Sequence, residues 1–358
     1  MPSLKEIKGR INSISSTLAI TSAMKMVAAA KLQKAQMAIQ NMLPYERRLH
    51  SMLIDLMGAM NISAAASEDG SVRGSGSAER GFDQSGDQLS LSNRHDLAGM
   101  DGAYSLMAQR EVRKVAIVAF ASNSSLCGAF NSNVIREATA VINEYRASGL
   151  GDADITVYSV GRKMAEAMKK LGFPSPADFT KMSDSPSYDA ASALAQELFD
   201  GFVSGRFDKV ELVYNHYKST SSQPTTRQTY LPLSLADATA DIQVGKITDS
   251  ASESDTNRGA DPVGAPVVRQ GSPTTEDLIV EPSKEALIAT LLPKVIRLRI
   301  FTTLLDSAAA EHAARTVAMQ LATDNGNDLL QELTLEYNKG RQQKITSEIL
   351  DLVGGSMQ

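Results

Sequence analysis

Tryptophan is absent from this 358-residue chain, aromatic residues make up only 5% of it, and cysteine occurs once, at Cys127. A lone cysteine excludes an intramolecular disulfide and fits a reducing compartment. No apolar run approaches the roughly 18 residues that would cross a bilayer, and the amino terminus lacks the apolar stretch of a secretory signal. The four histidines, His50, His95, His216 and His312, fall on separate elements with no cysteine or carboxylate at metal-ligand spacing. Gly-x-Gly-x-x-Gly and Walker spacings are missing too. The loop Ala121-Ser-Asn-Ser-Ser-Leu-Cys-Gly128 therefore resembles a phosphate loop only in its hydroxyls and the helix that follows. Cys127, placed after a buried strand, reads as a small core residue, and no grouping of acid, base and nucleophile emerges.

What the chain does have is a long heptad stripe at each end. Leu4, Ile7, Ile11, Ile14, Leu18, Thr21, Lys25, Ala28, Leu32, Ala35, Ile39 and Met42 follow alternating steps of three and four, and only Thr21 and Lys25 among them are not apolar. Leu287, Leu291, Val295, Leu298, Thr302, Leu305 and Ala309 keep the same rhythm near the other terminus. It then thins into small and polar residues before Ile345, Ile349 and Leu352. This is coiled-coil spacing, and the two ends are expected to pair across everything between them. At about 1.5 Å per residue such helices reach roughly 100 Å, whereas a compact chain of this size has a radius of gyration of about 20 Å. The helices must project from any globular body.

Charge is unevenly placed. Within residues 1–48, Lys5, Lys8, Arg10, Lys25, Lys31, Lys34, Arg47 and Arg48 stand against only Glu6 and Glu46, in a chain whose net charge is −5. A basic rod on an acidic protein suggests acidic partner surfaces. Nucleic acid is a second candidate, although no aromatic-rich patch accompanies the charge. A basic, acid-poor start also resembles an organellar transit peptide. The heptads run on without a cleavage-like break, so the start reads as mature and the expected location is a bacterial cytosolic face.

Five segments follow from these patterns. Residues 1–61 form a coiled-coil helix, 62–109 a Ser/Gly-rich insertion, 110–235 an α/β domain, 236–277 a flexible insertion and 278–358 the second coiled-coil helix. Within the α/β segment the periodicity predicts strands near 112–120, 155–160, 210–217 and 226–233, and helices near 131–147, 161–172 and 188–203. The expected result is a small, mostly parallel sheet with helices packed on it.

Several motifs then converge on one family. Ile20-Thr-Ser-Ala-Met-Lys-Met-Val-Ala-Ala-Ala-Lys31, Glu311-His-Ala-Ala-Arg-Thr-Val-Ala-Met319, Ala322-Thr-Asp-Asn-Gly326 and Glu336-Tyr-Asn-Lys-Gly-Arg-Gln342 strongly resemble the gamma subunit of F-type ATP synthase. Ser125-Leu-Cys-Gly-Ala-Phe-Asn131 and Tyr214-Asn-His-Tyr-Lys-Ser219 carry the likeness through the middle, and the two insertions exceed the usual family pattern. The resemblance implies an α/β fold class in which a long antiparallel coiled coil of the terminal helices bears a small Rossmann-like domain. It also implies a rotating shaft inside a ring of alpha and beta subunits, resting on the epsilon subunit and the ring of c subunits. Such a shaft is peripheral to the bacterial inner membrane on its cytoplasmic side, and has no cofactor, metal or catalytic residue of its own.

By the same resemblance Met24, Lys25, Met26, Arg315, Arg341, Gln342 and Thr346 are expected to touch the alpha–beta ring. Alternatively, the methionines fill the coiled-coil seam and the polar residues are solvated. One departure stands out: the family carries charged Asp-Arg-Gly where this chain has Asn123-Ser124-Ser125. Two further readings remain open on the residues alone. A coiled-coil adaptor with a basic arm predicts salt-sensitive nucleic-acid binding, and a small-molecule enzyme in the α/β segment predicts turnover by the isolated chain.

Overall fold

The computed structural model describes residues 3–68, 110–233 and 283–355. Two helices dominate it, α1 at Leu4–Glu68 and α6 at Lys284–Gly355, of 65 and 72 residues. At about 1.5 Å per residue they extend for roughly 98 and 108 Å. Every member of the first heptad stripe from Leu4 to Met42 is buried or half-buried, while Ile20, Val27 and Met37, off the stripe, are exposed. The helices pair antiparallel. Thr21 and Thr323 hydroxyls meet at 3.2 Å, Leu18 lies on Gly326 and Leu4 on Gly340, so each step forward in α1 is a step back in α6.

Local rules read Asp324-Asn-Gly326 as a turn, whereas the resembling motif that runs through it implies continuous helix. The helix runs straight through, and the missing side chain leaves room for Leu18, whose Cδ2 would sit 2.6 Å from a Cβ there. Pro293 likewise lies inside α6 without ending it. At the other end α1 continues through Ile62–Glu68, where an insertion was expected. The run Ser63-Ala-Ala-Ala-Ser67 is rich in alanine, the strongest helix former, which accounts for the extension. The remainder of the two Ser/Gly-rich segments, His95 and the extreme carboxyl end lie outside the described residues.

Between the helices sits a four-stranded sheet in the order β2-β1-β3-β4, made of β1 (Val115–Phe120), β2 (Ile155–Val160), β3 (Lys209–Asn215) and β4 (Thr225–Leu231). The first three strands are parallel and β4 is antiparallel to β3. Helices α2 (Phe130–Ala147), α3 (Arg162–Lys170), the short α4 (Thr180–Asp184) and α5 (Tyr188–Val203) complete the domain. One face of the sheet packs on α2 and α3 through Val115, Ile117, Val134, Val141, Ile142 and Met164. The other face packs on α5, on Leu49, Leu53 and Leu56 of α1, and on Ile288, Leu292 and Ile296 of α6. The sheet is thus roofed on one side by α2 and α3 and on the other by α5 and the rod.

Gly161 joins β2 to α3. Its φ of +98° belongs to the left-handed region, and an added Cβ would run into the backbone carbonyl of Ala121. Gly172 has a similar φ of +92° but open space around it. Gly161→Ala should therefore cost at least about 3 kcal/mol in urea unfolding, against about 1–2 kcal/mol for Gly172→Ala. Equal losses would mean that backbone conformation alone sets the requirement.

Candidate functional site

The expected contact residues do not converge on a pocket. Met24, Lys25 and Met26 lie in α1 beside the part of α6 near Met319, whereas Arg341, Gln342 and Thr346 lie past Gly340, where Leu4 marks the end of the pairing. Roughly 30 Å of helix separates the two groups. Met24 and Lys25 are half-buried and Met26 is 66% exposed, so Met26 does not fill the seam. Arg341, Gln342 and Thr346 are all exposed, and the Thr346 hydroxyl donates to the Gln342 carbonyl at 2.9 Å.

Among the described residues, the far end of α6 continues past α1 as a single helix. Residues 341–350 are exposed without exception, and so are Leu352 and Val353. About 22 Å of helix extends past the last described contact with α1. Ile345, Ile349, Leu350, Leu352 and Val353 are all apolar there, an arrangement that water alone does not stabilise.

Arg315 departs from the expectation of an exposed contact. It is 9% exposed and lies where the rod meets the α/β domain. Its guanidinium donates to Glu311 at 2.6 Å and to the Ser124 hydroxyl at 2.7 Å, tying α6 to the loop after β1. Burial pushes the Glu311 carboxyl above its ordinary range, and the charge and hydrogen bond of Arg315 only partly offset it. Neighbouring His312 is held neutral down to about pH 4, first by burial and then by the positive charges of Arg315 and Lys31, and its Nδ1 is buried without a hydrogen-bond partner.

The loop itself is internally braced. Asn131 Nδ2 donates to the Ser122 hydroxyl at 2.8 Å and approaches the Cys127 sulfur at 3.2 Å; Cys127 is buried, as its position after β1 led one to expect. Asn123 accepts the Arg162 backbone N–H at 2.7 Å, satisfying the start of α3, and donates to the Thr180 carbonyl at 2.7 Å. The departure Asn123-Ser124-Ser125 thus has a use in this chain. Half-buried Asn123 braces the domain, and Ser124, though exposed, receives Arg315 on its hydroxyl.

Two further ties were not legible in the sequence. Asp306 of α6 accepts from the Tyr217 backbone N–H at 2.9 Å and pairs with His216 Nδ1 at 2.7 Å. Tyr217 in turn accepts a hydrogen bond from Gln36 of α1 at 2.6 Å. The segment Tyr214-Asn-His-Tyr-Lys-Ser219 had been singled out as a motif, but its partners lie about 90 residues later and about 180 earlier, and no local rule names them. Among the described residues no group of histidine, cysteine and carboxylate side chains is placed to hold a metal ion, and no helix is long and apolar enough to cross a membrane.

A family model described as ATP synthase matches residues 3–357. The ATP synthase gamma chain of Phocaeicola vulgatus is 47% identical over 357 residues, covering 100% of both chains. This chain belongs to the ATP synthase gamma-chain family. The Parabacteroides distasonis member is 39% identical over 356 residues, again with 99% of each chain covered, so the extra length of the two insertions is not peculiar to this protein. In fold, the family assignment agrees with a chain of the Euglena gracilis mitochondrial ATP synthase, solved with OSCP, F1 and c-ring in rotational state 3. The TM-score is 0.52 at 18% identity over 99% of this chain and 93% of that one. The long antiparallel coiled coil with a small α/β domain is therefore the architecture of the family as well as of the sequence pattern.

The joint offers a direct test. Arg315→Ala leaves the buried Glu311 carboxylate without its counter-charge and should cost about 3–5 kcal/mol at neutral pH in chemical denaturation. Adding Glu311→Gln should restore much of the loss. A raised carboxyl favours the folded state only while protonated, so the single variant should also regain stability as pH falls from neutral towards the Glu311 pKa. A double variant no more stable than Arg315→Ala would show that lost packing, not the charge, dominates.

Proposed function

We propose that this protein is the central rotor of an F-type ATP synthase, turning inside a ring of alpha and beta subunits and standing on the epsilon subunit and the c-ring. The observation that carries this is the rod itself: a two-helix shaft that continues, among the described residues, as one exposed helix bearing Ile345, Ile349, Leu350 and Leu352. Such a tip is stable only when something surrounds it, and a sleeve of neighbouring subunits does so without directional bonds. The protein is peripheral to the bacterial inner membrane on its cytoplasmic side and supplies no catalytic group.

A shaft drives chemically identical sites through different states only if it presents a different shape to each. The cross-section here changes along the axis, from the bare helix to the pair and then to the pair flanked on one side by the α/β domain. Met24, Lys25, Met26, Arg341, Gln342 and Thr346 are the side chains proposed to meet the ring. Arg315 contributes by holding the domain against the rod. Exposed ion pairs are worth only about 0–1 kcal/mol, weak enough for the basic residues of α1 to guide acidic loops and release them at each step.

Reconstitution of ATPase activity from separate alpha and beta subunits tests the proposal. With this chain present, a defined hexamer containing one copy and altered ATPase kinetics are expected; a chain that stays apart from the hexamer refutes it. Lys25→Glu should then impair coupling of hydrolysis to proton transport severalfold in the whole enzyme while leaving assembly intact. An equal loss of assembled complex would place Lys25 in assembly instead.

A further inference from the structure

In the turn after β3 a titratable pair fastens the α/β domain to the rod. His216 and Tyr217 both address Asp306, the first through Nδ1 at 2.7 Å and the second through its backbone N–H at 2.9 Å. Tyr217 also takes the Gln36 hydrogen bond at 2.6 Å, so one turn grips both helices. The turn is itself anchored, since the His216 backbone N–H donates to the Pro224 carbonyl at 2.9 Å, just before β4. The Asp306 side chain is only 18% exposed, whereas that of His216 is 46% exposed and open to protons.

We propose that the His216–Asp306 pair is a pH-dependent latch between the α/β domain and the coiled coil, tight when the imidazole is charged and looser when it is neutral. A neutral ring keeps a hydrogen bond in one tautomer but loses the attraction of opposite charges. The charged groups acting on His216 are Asp306 from α6 and Lys218 from its own turn. From α1 the neighbour is uncharged Gln36, reached through Tyr217, and from the segment before β4 it is a backbone carbonyl.

The direction follows from linkage. The hydrogen bond and charge of Asp306 raise the His216 pKa above its ordinary 6.5, against the opposing effects of burial and Lys218. The stabilisation is thus fully present below about 6.5 and is lost as pH rises through the raised value. The other ties between domain and rod described above are Arg315 to the Ser124 hydroxyl and Tyr230 to the Ile296 carbonyl at 3.0 Å; burial raises both the Tyr230 hydroxyl and the Glu311 carboxyl beside Arg315, and His216→Lys leaves both unchanged, so it separates their titration from that of His216. His312, the other described histidine side chain at the joint, changes charge only near pH 4.

The test uses the full chain. Imidazole NMR should give His216 a midpoint above 6.5. Amide protection at Tyr217 should fall as pH passes that midpoint, by up to about tenfold for each unit of the shift. His216→Lys keeps the charge and should hold the protection flat from pH 6 to 9, and His216→Gln should be flat at a lower level. A His216 midpoint at or below 6.5 overturns the latch, as does a pH profile at Tyr217 that is the same in wild type and His216→Lys. The wild-type NMR titration decides the matter even if a variant fails to fold. These measurements do not depend on incorporation into a larger complex, so they stand or fall apart from the rotor proposal.

Discussion

Helices of 65 and 72 residues owe little of their stability to propensity alone, because most helical stability in proteins comes from burying an apolar face against something else. Here that something is the other helix. The seam from Leu4 to Met42, set against the matching stretch of α6, is the interaction from which the remaining features follow. It fixes the antiparallel direction and the register, and through the register it decides where the rod ends as a pair and continues as one strand of helix. It also determines which stretch of α6 is left to roof the sheet, since Ile288, Leu292 and Ile296 turn towards the α/β domain beside Leu49, Leu53 and Leu56 of α1.

The joint between rod and domain has a different character. The seam is almost wholly apolar, whereas the joint combines apolar packing with Arg315, Glu311, Ser124, Asp306, His216 and Tyr217 in a small polar set. Apolar contacts supply most of the attraction, but they tolerate sliding. Hydrogen bonds at 2.6–2.9 Å do not, because their geometry is narrow. A domain that must keep one angular position on a smooth rod is well served by that division.

Much of this was legible from residues. The heptad steps located both helices and their pairing, and the runs bounded by glycine and proline located β2 and α5 to the residue. Those signals are local and periodic. What escaped was long-range and polar. Arg315 was expected among the ring contacts from its motif, whereas it is buried and its guanidinium meets Ser124 of the loop after β1. The antiparallel direction of β4 and the partners of His216 likewise depend on how distant segments meet. Gly326 is the converse case, a residue whose local signal said turn and whose missing side chain serves helix pairing instead. The seven contact residues drawn from family motifs are spread along the rod, and only three-dimensional placement separates the inward Arg315 from the outward Arg341.

Pairing the two extremes of the chain has a further consequence during synthesis. The apolar stripe of α1 is complete once Met42 has been made, yet its partner begins only at Lys284. At ribosomal speeds of about 5–20 residues per second, that stripe waits on the order of 10–50 s before synthesis of the helix that pairs with it begins. For that interval the cell holds a long, basic, half-apolar segment without the helix that pairs with it. Timely delivery of the carboxyl end, or shelter by a chaperone meanwhile, becomes a condition of making the protein at all.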